Sequence, residues 1–268
     1  MGMHNTLQPD QDFERFIQLV KGKSGIDLAL YKEAQMKRRL TSLRERRGHK
    51  SFSDFFQAFS ADPALYAEFL DQMTINVSEF YRNPQRWEVL ADKVIPELLS
   101  RSPRLKCWSA ACSTGEEPYS IAMVLSQFMD LREVQVLASD LDQNAIERAK
   151  IGNYQASAVK DVPQAHLNRF FTKQGERYLV SDSLKRCVQY KRHNLLADAY
   201  DTGFDLIVCR NVLIYFTDEA KETVFSKFSQ ALKPGGYLFI GGTEQIFQPL
   251  QYDLEATETF FYRKRLAR

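Results

Sequence analysis

From Leu105 to the C-terminus, short apolar runs with strand character alternate with segments whose apolar residues recur at helical spacing. The runs are Leu105 to Ala110, Val134 to Ser139, Phe204 to Cys209 and Tyr237 to Gly241, with helical patterns over Glu116 to Met129, Gln143 to Lys150 and Asp218 to Leu232. A crossover long enough to hold a helix returns the next strand in the same direction, so this rhythm predicts a parallel sheet covered by helices. The last apolar segment, Thr259 to Tyr262, follows a loop too short for another crossover helix and is expected to run antiparallel beside the strand at 237 to 241. Residues 160 to 192 interrupt the rhythm with Phe170-Phe171, Tyr178-Leu179-Val180 and Val188-Gln189-Tyr190, which fit a small β insertion.

The first third of the chain is helical by period. Phe13, Phe16, Ile17 and Val20 share a face, as do Met36, Leu40 and Leu43, then Phe52, Phe55, Phe56 and Phe59, then Leu65, Phe69 and Met73. Ser51 followed by Asp54 marks a helix start, and Asp62-Pro63 opens the next helix with proline in its first turn. We therefore expect a small all-α domain over residues 1–84, a connecting helix and polar stretch over 85–104, and an α/β domain over 105–268. Charge is polarised within the helical part. Residues 21–50 hold ten Lys/Arg against three Asp/Glu, whereas residues 51–80 hold five Asp/Glu and no Lys or Arg. Lys37, Arg38, Arg39, Arg44, Arg46 and Arg47 fall on or near the Met36–Leu43 helix, as either a docking face for an acidic partner or a solvated helix face.

Composition narrows the function classes. A net charge of +2 argues against a nucleic-acid binder, which carries a larger continuous basic surface. No stretch approaches the roughly 18 apolar residues of a membrane helix, and the N-terminus places charge where a signal peptide is apolar, so the cytoplasm is the expected location. Cys107, Cys112, Cys187 and Cys209 lack the paired spacing of a zinc site and read as reduced core residues, and no metal is expected.

The strand at 105–110 runs into Ala111-Cys112-Ser113-Thr114-Gly115-Glu116-Glu117-Pro118, a turn of small residues opening a helix, where a ligand can approach the backbone. The next strand ends in Asp140, placed to accept both ribose hydroxyls of a nucleoside or simply to cap the following helix. Glu116 and Glu117 at the first helical turn oppose a pyrophosphate and suit a cationic amino acid moiety, or else merely complement the helix dipole. Arg210 and Asn211 follow the strand at 204–209, at the edge where doubly wound sheets hold ligands. Lys233-Pro234-Gly235-Gly236 reads as a helix end and glycine turn.

Assembled, these residues resemble the chemotaxis receptor glutamate methyltransferases, the CheR family, over nearly the whole chain. The likeness rests on Thr74 to Asn83 (TINVSEFYRN), Cys112 to Ser120 (CSTGEEPYS), Ser139 to Asp142, Asn194-Leu195-Leu196 and Cys209 to Phe216 (CRNVLIYF), in order and in approximate spacing. It implies an N-terminal helical domain joined to a class I methyltransferase domain, Rossmann-like, with a mixed seven-strand sheet. It implies that Asn76, Ser78, Arg82, Glu117, Asp140, Asn194, Leu195, Arg210 and Asn211 line an S-adenosylmethionine site, with Arg82 and Tyr215 orienting the substrate carboxylate. The implied substrates are glutamates on the cytoplasmic coiled coil of a receptor, with S-adenosylhomocysteine as product. The first turn carries one glycine where many class I methyltransferases have two or three. A β insertion in some members binds a peptide tether at the receptor C-terminus, and residues 160–192 are where one would lie. A glutamate side chain titrates near pH 4.3, so it is already the anionic nucleophile and no catalytic His or Cys is needed. A methyltransferase of the same fold acting on another protein or a small acid, a non-catalytic cofactor-binding scaffold and a nicotinamide dehydrogenase are competing readings, the last opposed by Glu116 and Glu117.

Overall fold

The computed structural model describes residues 9–74, 76 and 78–266. They divide into two compact units. One comprises the described residues up to 74 together with Tyr215–Lys221, and the other Asn76–Ile214 with the chain from Glu222 onward.

The first unit is built on α1 (Pro9–Ser24), α2 (Glu33–Arg46), α3 (Phe52–Ala61) and α4 (Pro63–Thr74). The apolar positions spaced three and four apart converge in one core of Phe13, Phe16, Val20, Met36, Leu40, Leu43, Phe55, Phe59, Phe69 and Met73. Ile17, Phe56 and Leu65 stand half-buried at its margin. Ser51 caps α3 by accepting the Asp54 amide at 3.0 Å. Buried Asp12 serves the same helix end from α1, accepting the amides of Phe52 and Ser53 and the Ser53 hydroxyl. Burial alone would raise its pKa, but these bonds and the nearby Arg44 charge hold it below the usual carboxylate range. Tyr215–Lys221 joins this unit because the Lys32 amide donates to the Tyr215 carbonyl at 2.8 Å, the Thr217 amide to the Leu30 carbonyl at 2.9 Å, and the Tyr31 and Phe216 rings meet edge-on at 5.2 Å.

The second unit opens with α5 (Pro84–Val89), continued through a π turn at Leu90–Val94 into α6 (Ile95–Arg101). There follow β1 (Cys107–Ala110), α7 (Glu116–Leu125), β2 (Val136–Asp140), α8 (Gln143–Ile151), β3 (Asn153–Gln155), α9 (Gln164–Phe170), β4 (Phe171–Gln174), β5 (Arg177–Val180), α10 (Asp182–Lys185) and β6 (Val188–Arg192). The chain ends with β7 (Phe204–Cys209), α11 (Asp218–Ala231), β8 (Leu232–Ile240), β9 (Leu254–Glu258) and β10 (Phe261–Lys264). The seven-stranded sheet has the order β6-β2-β1-β7-β8-β10-β9; β6 through β8 pair in parallel, and β10 runs antiparallel to β8 and β9. Strand order reverses on the two sides of β1, so the crevice at the C-terminal ends of β2, β1 and β7 is where such a sheet holds a ligand.

Four details depart from the sequence reading. The helical stretch expected as a connection at 85–104 lies in the α/β unit, where Trp87, Leu90, Val94, Ile95 and Leu98 are buried in one cluster with Cys107, Leu206 and Phe239. Of the apolar groups between 160 and 192, only those of β4 and β5 form the small antiparallel sheet, in the order β3-β5-β4; Val188 to Tyr190 belong to β6, the outer strand beside β2. β9 was not foreseen. Its sequence, Leu254-Glu255-Ala256-Thr257-Glu258, is polar because an edge strand buries only one residue in it, Leu254. Lys233–Gly236, read as a glycine turn, forms an irregularity within β8: Phe204 faces Leu232, but Leu206 faces Tyr237. Among the described residues no helix is long and apolar enough to cross a membrane.

Candidate active site

The turn after β1 is unusual in its backbone. Ala111, Ser113 and Gly115 all have positive φ, at 63°, 48° and 98°. Gly115 is required there because an added Cβ would lie 2.7 Å from Ala149 Cβ and 2.9 Å from the Tyr190 hydroxyl. The glycine thus serves packing against α8 and β6 on that face, beyond the open approach to a ligand that the sequence predicts. Glu116 is buried and folds back onto the turn, accepting from the Thr114 hydroxyl at 2.7 Å. Burial raises its pKa, opposed by hydrogen bonds from Thr114 and Ser78.

Asp140, buried at the tip of β2, accepts the Ser113 amide at 2.8 Å on one oxygen and the Asp142 amide at 2.9 Å on the other. It ties the turn after β1 to the end of β2, and each oxygen keeps a lone pair for a further donor. Burial pushes its pKa up to about 6. Asp142 caps α8 through the Asn144 amide and accepts the Asn76 side-chain amide at 2.8 Å, while Ser113 donates to the Asn76 oxygen at 3.0 Å. Asn76 therefore spans both strand ends. The His193 amide donates to the Asp140 carbonyl at 2.8 Å, which sets Asn194 and buried Leu195 beside the same tip. The Asn194 side chain also closes its own turn by accepting the Leu196 amide at 3.0 Å.

Glu117 points under the sheet edge, where Ser109 donates to it at 2.8 Å. Burial pushes its pKa up to about 7, moderated by the opposite charge of Arg210 and aggravated by Glu244. Arg210 is buried at the end of β7, with its guanidinium 4.7 Å above the Phe239 ring. It donates to the Arg82 carbonyl and to the Asn83 side-chain oxygen, each at 2.8 Å, and its Nε is buried with no acceptor among the described residues. The Trp87 indole donates to the same Arg82 carbonyl at 3.1 Å. The Arg82 backbone is thereby pinned between two left-handed residues, Tyr81 and Asn83. Its half-buried guanidinium makes no hydrogen bond or ion pair among the described residues.

The structure thus brings Asn76, Ser78, Arg82, Glu117, Asp140, Asn194, Leu195, Arg210 and Asn211 together at the C-terminal edge of β1, β2, β6 and β7 within the second unit. Tyr215 belongs to the first unit, where the Arg39 guanidinium lies 5.3 Å over its ring. Sequence reasoning named Ser113 and Asp142 only within their motifs, without a role for either, and passed over Glu244. Asp142 was visible as an N-cap residue; Glu244 had no local signal, since its partners on the loop after β7 stand 30 or more positions away.

A model of the CheR methyltransferase, SAM binding domain, matches residues 76–261. The chain belongs to the CheR methyltransferase family. The CheR all-alpha domain matches residues 11–74. A chemotaxis protein methyltransferase of Listeria monocytogenes is 44% identical over 95% of this chain and 98% of its own length. Chemotaxis protein methyltransferase Cher2 of Pseudomonas putida is 37% identical over 88% and 90%, and a chemotaxis protein methyltransferase of Borreliella burgdorferi 32% identical over 92% and 93%. The family's cofactor is S-adenosylmethionine, and the charges of this crevice fit it. Glu117 and Glu244 act on the buried Arg210 guanidinium, and Glu116 and Asp140 are buried at the turn after β1 and the tip of β2, so acids outnumber the one buried guanidinium, an excess that disfavours a pyrophosphate and suits a sulfonium and an ammonium.

Proposed function

We propose that this protein transfers the methyl group of S-adenosylmethionine to glutamate side-chain carboxylates of chemotaxis receptors, giving methyl esters and S-adenosylhomocysteine for sensory adaptation. The observation that carries this reading is the carboxylate-rich sheet edge, where Asp140 is buried at the tip of β2 and Glu117 and Glu244 act on the buried Arg210 guanidinium. In it Asn76, Ser78, Arg82, Glu117, Asp140, Asn194, Leu195, Arg210 and Asn211 hold the cofactor, which supplies a methyl group activated on a positive sulfur. Asp140 would accept from the ribose hydroxyls with its spare lone pairs, and Glu117 would offset the cationic amino acid end. The substrate glutamate needs no base at neutral pH, so the protein's work is alignment and exclusion of water. Arg82, whose half-buried guanidinium has no hydrogen-bond or ion-pair partner among the described residues, orients the attacking carboxylate, a role the family resemblance also implies for Tyr215, and a moderate grip avoids over-stabilising the ground state.

The partner is the cytoplasmic coiled coil of the receptor, met by the basic side of α2. The structure divides the labour among its six cations. Arg39 reaches the Gln72 and Met73 carbonyls at the end of α4, Arg44 and Lys37 lie over Phe52 and Phe13, and Arg46 and Arg47 pair with Glu68. Arg38 is exposed in the middle of the helix and Arg46 and Arg47 are exposed at its C-terminal end, where the two outweigh their shared partner Glu68, so these three provide the steering charge. The site of action is cytoplasmic in this reading.

The test is incubation with labelled cofactor and receptor cytoplasmic fragments, with and without the receptor C-terminus. Base-labile label on the receptor supports the assignment; label that resists base, or label only on small acids, overturns it.

A further inference from the structure

After β8 the chain turns through Gly241-Gly242-Thr243, and the Glu244 side chain folds back beneath the loop that follows β7. One carboxylate oxygen accepts the amides of Asn211 and Gly241, both at 2.8 Å; the other accepts those of Leu213 at 2.7 Å and Ile214 at 3.3 Å. Four main-chain donors thus converge on one side chain that is 5% exposed. The donors have no ladder to join, because β7 ends at Cys209 and the helical turn at Leu213–Tyr215 is three residues long. Asn211 holds φ at 61°, in the left-handed region that asparagine enters more readily than most residues with a side chain. Gly241 is part of the same device: a Cβ there would run into the Glu244 carboxylate and lie 2.9 Å from the Asn211 amide.

We infer that Glu244 is a positioning residue for methyl transfer, holding through these four amides the loop that presents Arg210 and Asn211 to the cofactor crevice. The inference rests on the site reading above. Both carboxylate oxygens face donors, so neither can be replaced by a donor without opposing N–H groups. The isosteric Glu244→Gln must present an NH2 to one pair of amides, and the loop has to shift to relieve it.

The experiment compares the full chain with Glu244→Gln. We expect a folded protein whose Asn211, Leu213 and Gly241 amide proton resonances move upfield more than those elsewhere. We expect kcat on a receptor fragment to fall roughly tenfold or more while KM for that fragment stays within about threefold, since misplacing a positioned group costs the transition state more than substrate binding. Should that variant not fold, Gly241→Ala displaces the carboxylate from its seat and is read the same way. Unmoved amide resonances, or moved resonances with wild-type kcat, overturn the inference. A failure of the cofactor reading is seen separately, as wild-type S-adenosylhomocysteine binding by Asp140→Ala, and the amide resonances still decide whether Glu244 holds the loop.

Discussion

The guanidinium of Arg210 is bonded to the backbone of Arg82, at 2.8 Å from its carbonyl, and not to an acid. A buried cation thereby fixes a second, less buried cation through its main chain while opposing it through charge. The Arg82 side chain is left available.

Replacing Arg210 by Lys keeps the charge but not the planar fork that reaches both the Arg82 carbonyl and Asn83 while lying over Phe239. We expect about 1–3 kcal/mol of stability to be lost, and methyl transfer to fall further than that destabilisation explains. Urea unfolding alongside initial rates checks this, and wild-type rates in a folded Lys variant would contradict it.

Cofactor affinity should depend on pH. Glu117 and Asp140 are pushed up by burial to about 7 and about 6; a cation beside Glu117 and hydroxyl donors to Asp140 favour their ionised forms. Affinity therefore weakens as pH falls from 8 towards 6, by at most about tenfold per unit for each group that must lose a proton. For the protein without cofactor the sign is opposite. Groups raised in the folded state add stability that is complete below their unfolded values and is lost as pH rises through 6 to 7. Calorimetry at several pH values in two buffers reads both the affinity and the protons released; no release and a flat profile would count against ionised Glu117 as the cation's partner and ionised Asp140 as the acceptor of the ribose hydroxyls.

Gly115→Ala places a Cβ 2.7 Å from Ala149 Cβ in a residue whose φ is 98°. The clash and the left-handed backbone act together, and we expect a loss of roughly 1–3 kcal/mol with weakened cofactor binding. Denaturation midpoints at constant slope measure the first and calorimetry the second.

Asp12→Ala removes the acceptor of two α3 amides and a hydroxyl. Leaving buried donors unpaired should destabilise the helical unit by about 2 kcal/mol. Because the Asp12 pKa is lowered, its contribution is present above the unfolded value and disappears as pH falls through the folded one. The wild type and the variant should therefore converge in stability at acid pH, which thermal scans across pH would show.

Arg38→Glu should slow association with the receptor fragment several-fold at low salt, with the difference closing as salt rises, because exposed charges act at long range and are screened. Arg39→Ala should instead lower the melting temperature, since Arg39 serves the end of α4. Stopped-flow association at two ionic strengths separates them; an unchanged low-salt rate for Arg38→Glu would leave α2 without its docking role.

The α/β rhythm, the four helices of the first unit, the antiparallel return of β10 and the charged residues at the strand tips were all legible in the sequence. Their causes are local: a period of two or near four in apolar residues, a capping side chain, a turn of small residues. β9 and the place of β6 were not legible, because an outer strand buries too few of its residues to impress a pattern on its sequence. The sequence also announced that acids and arginines crowd one edge of the sheet. Only the tertiary structure decided what each does: that Glu116 caps its own turn while Glu117 faces Arg210, that Arg210 grips a backbone rather than an acid, that Arg39 is spent on α4, and that Glu244 gathers four amides. Those assignments depend on which donor comes within 3 Å of which acceptor across tens of residues of chain, and no local propensity carries that information.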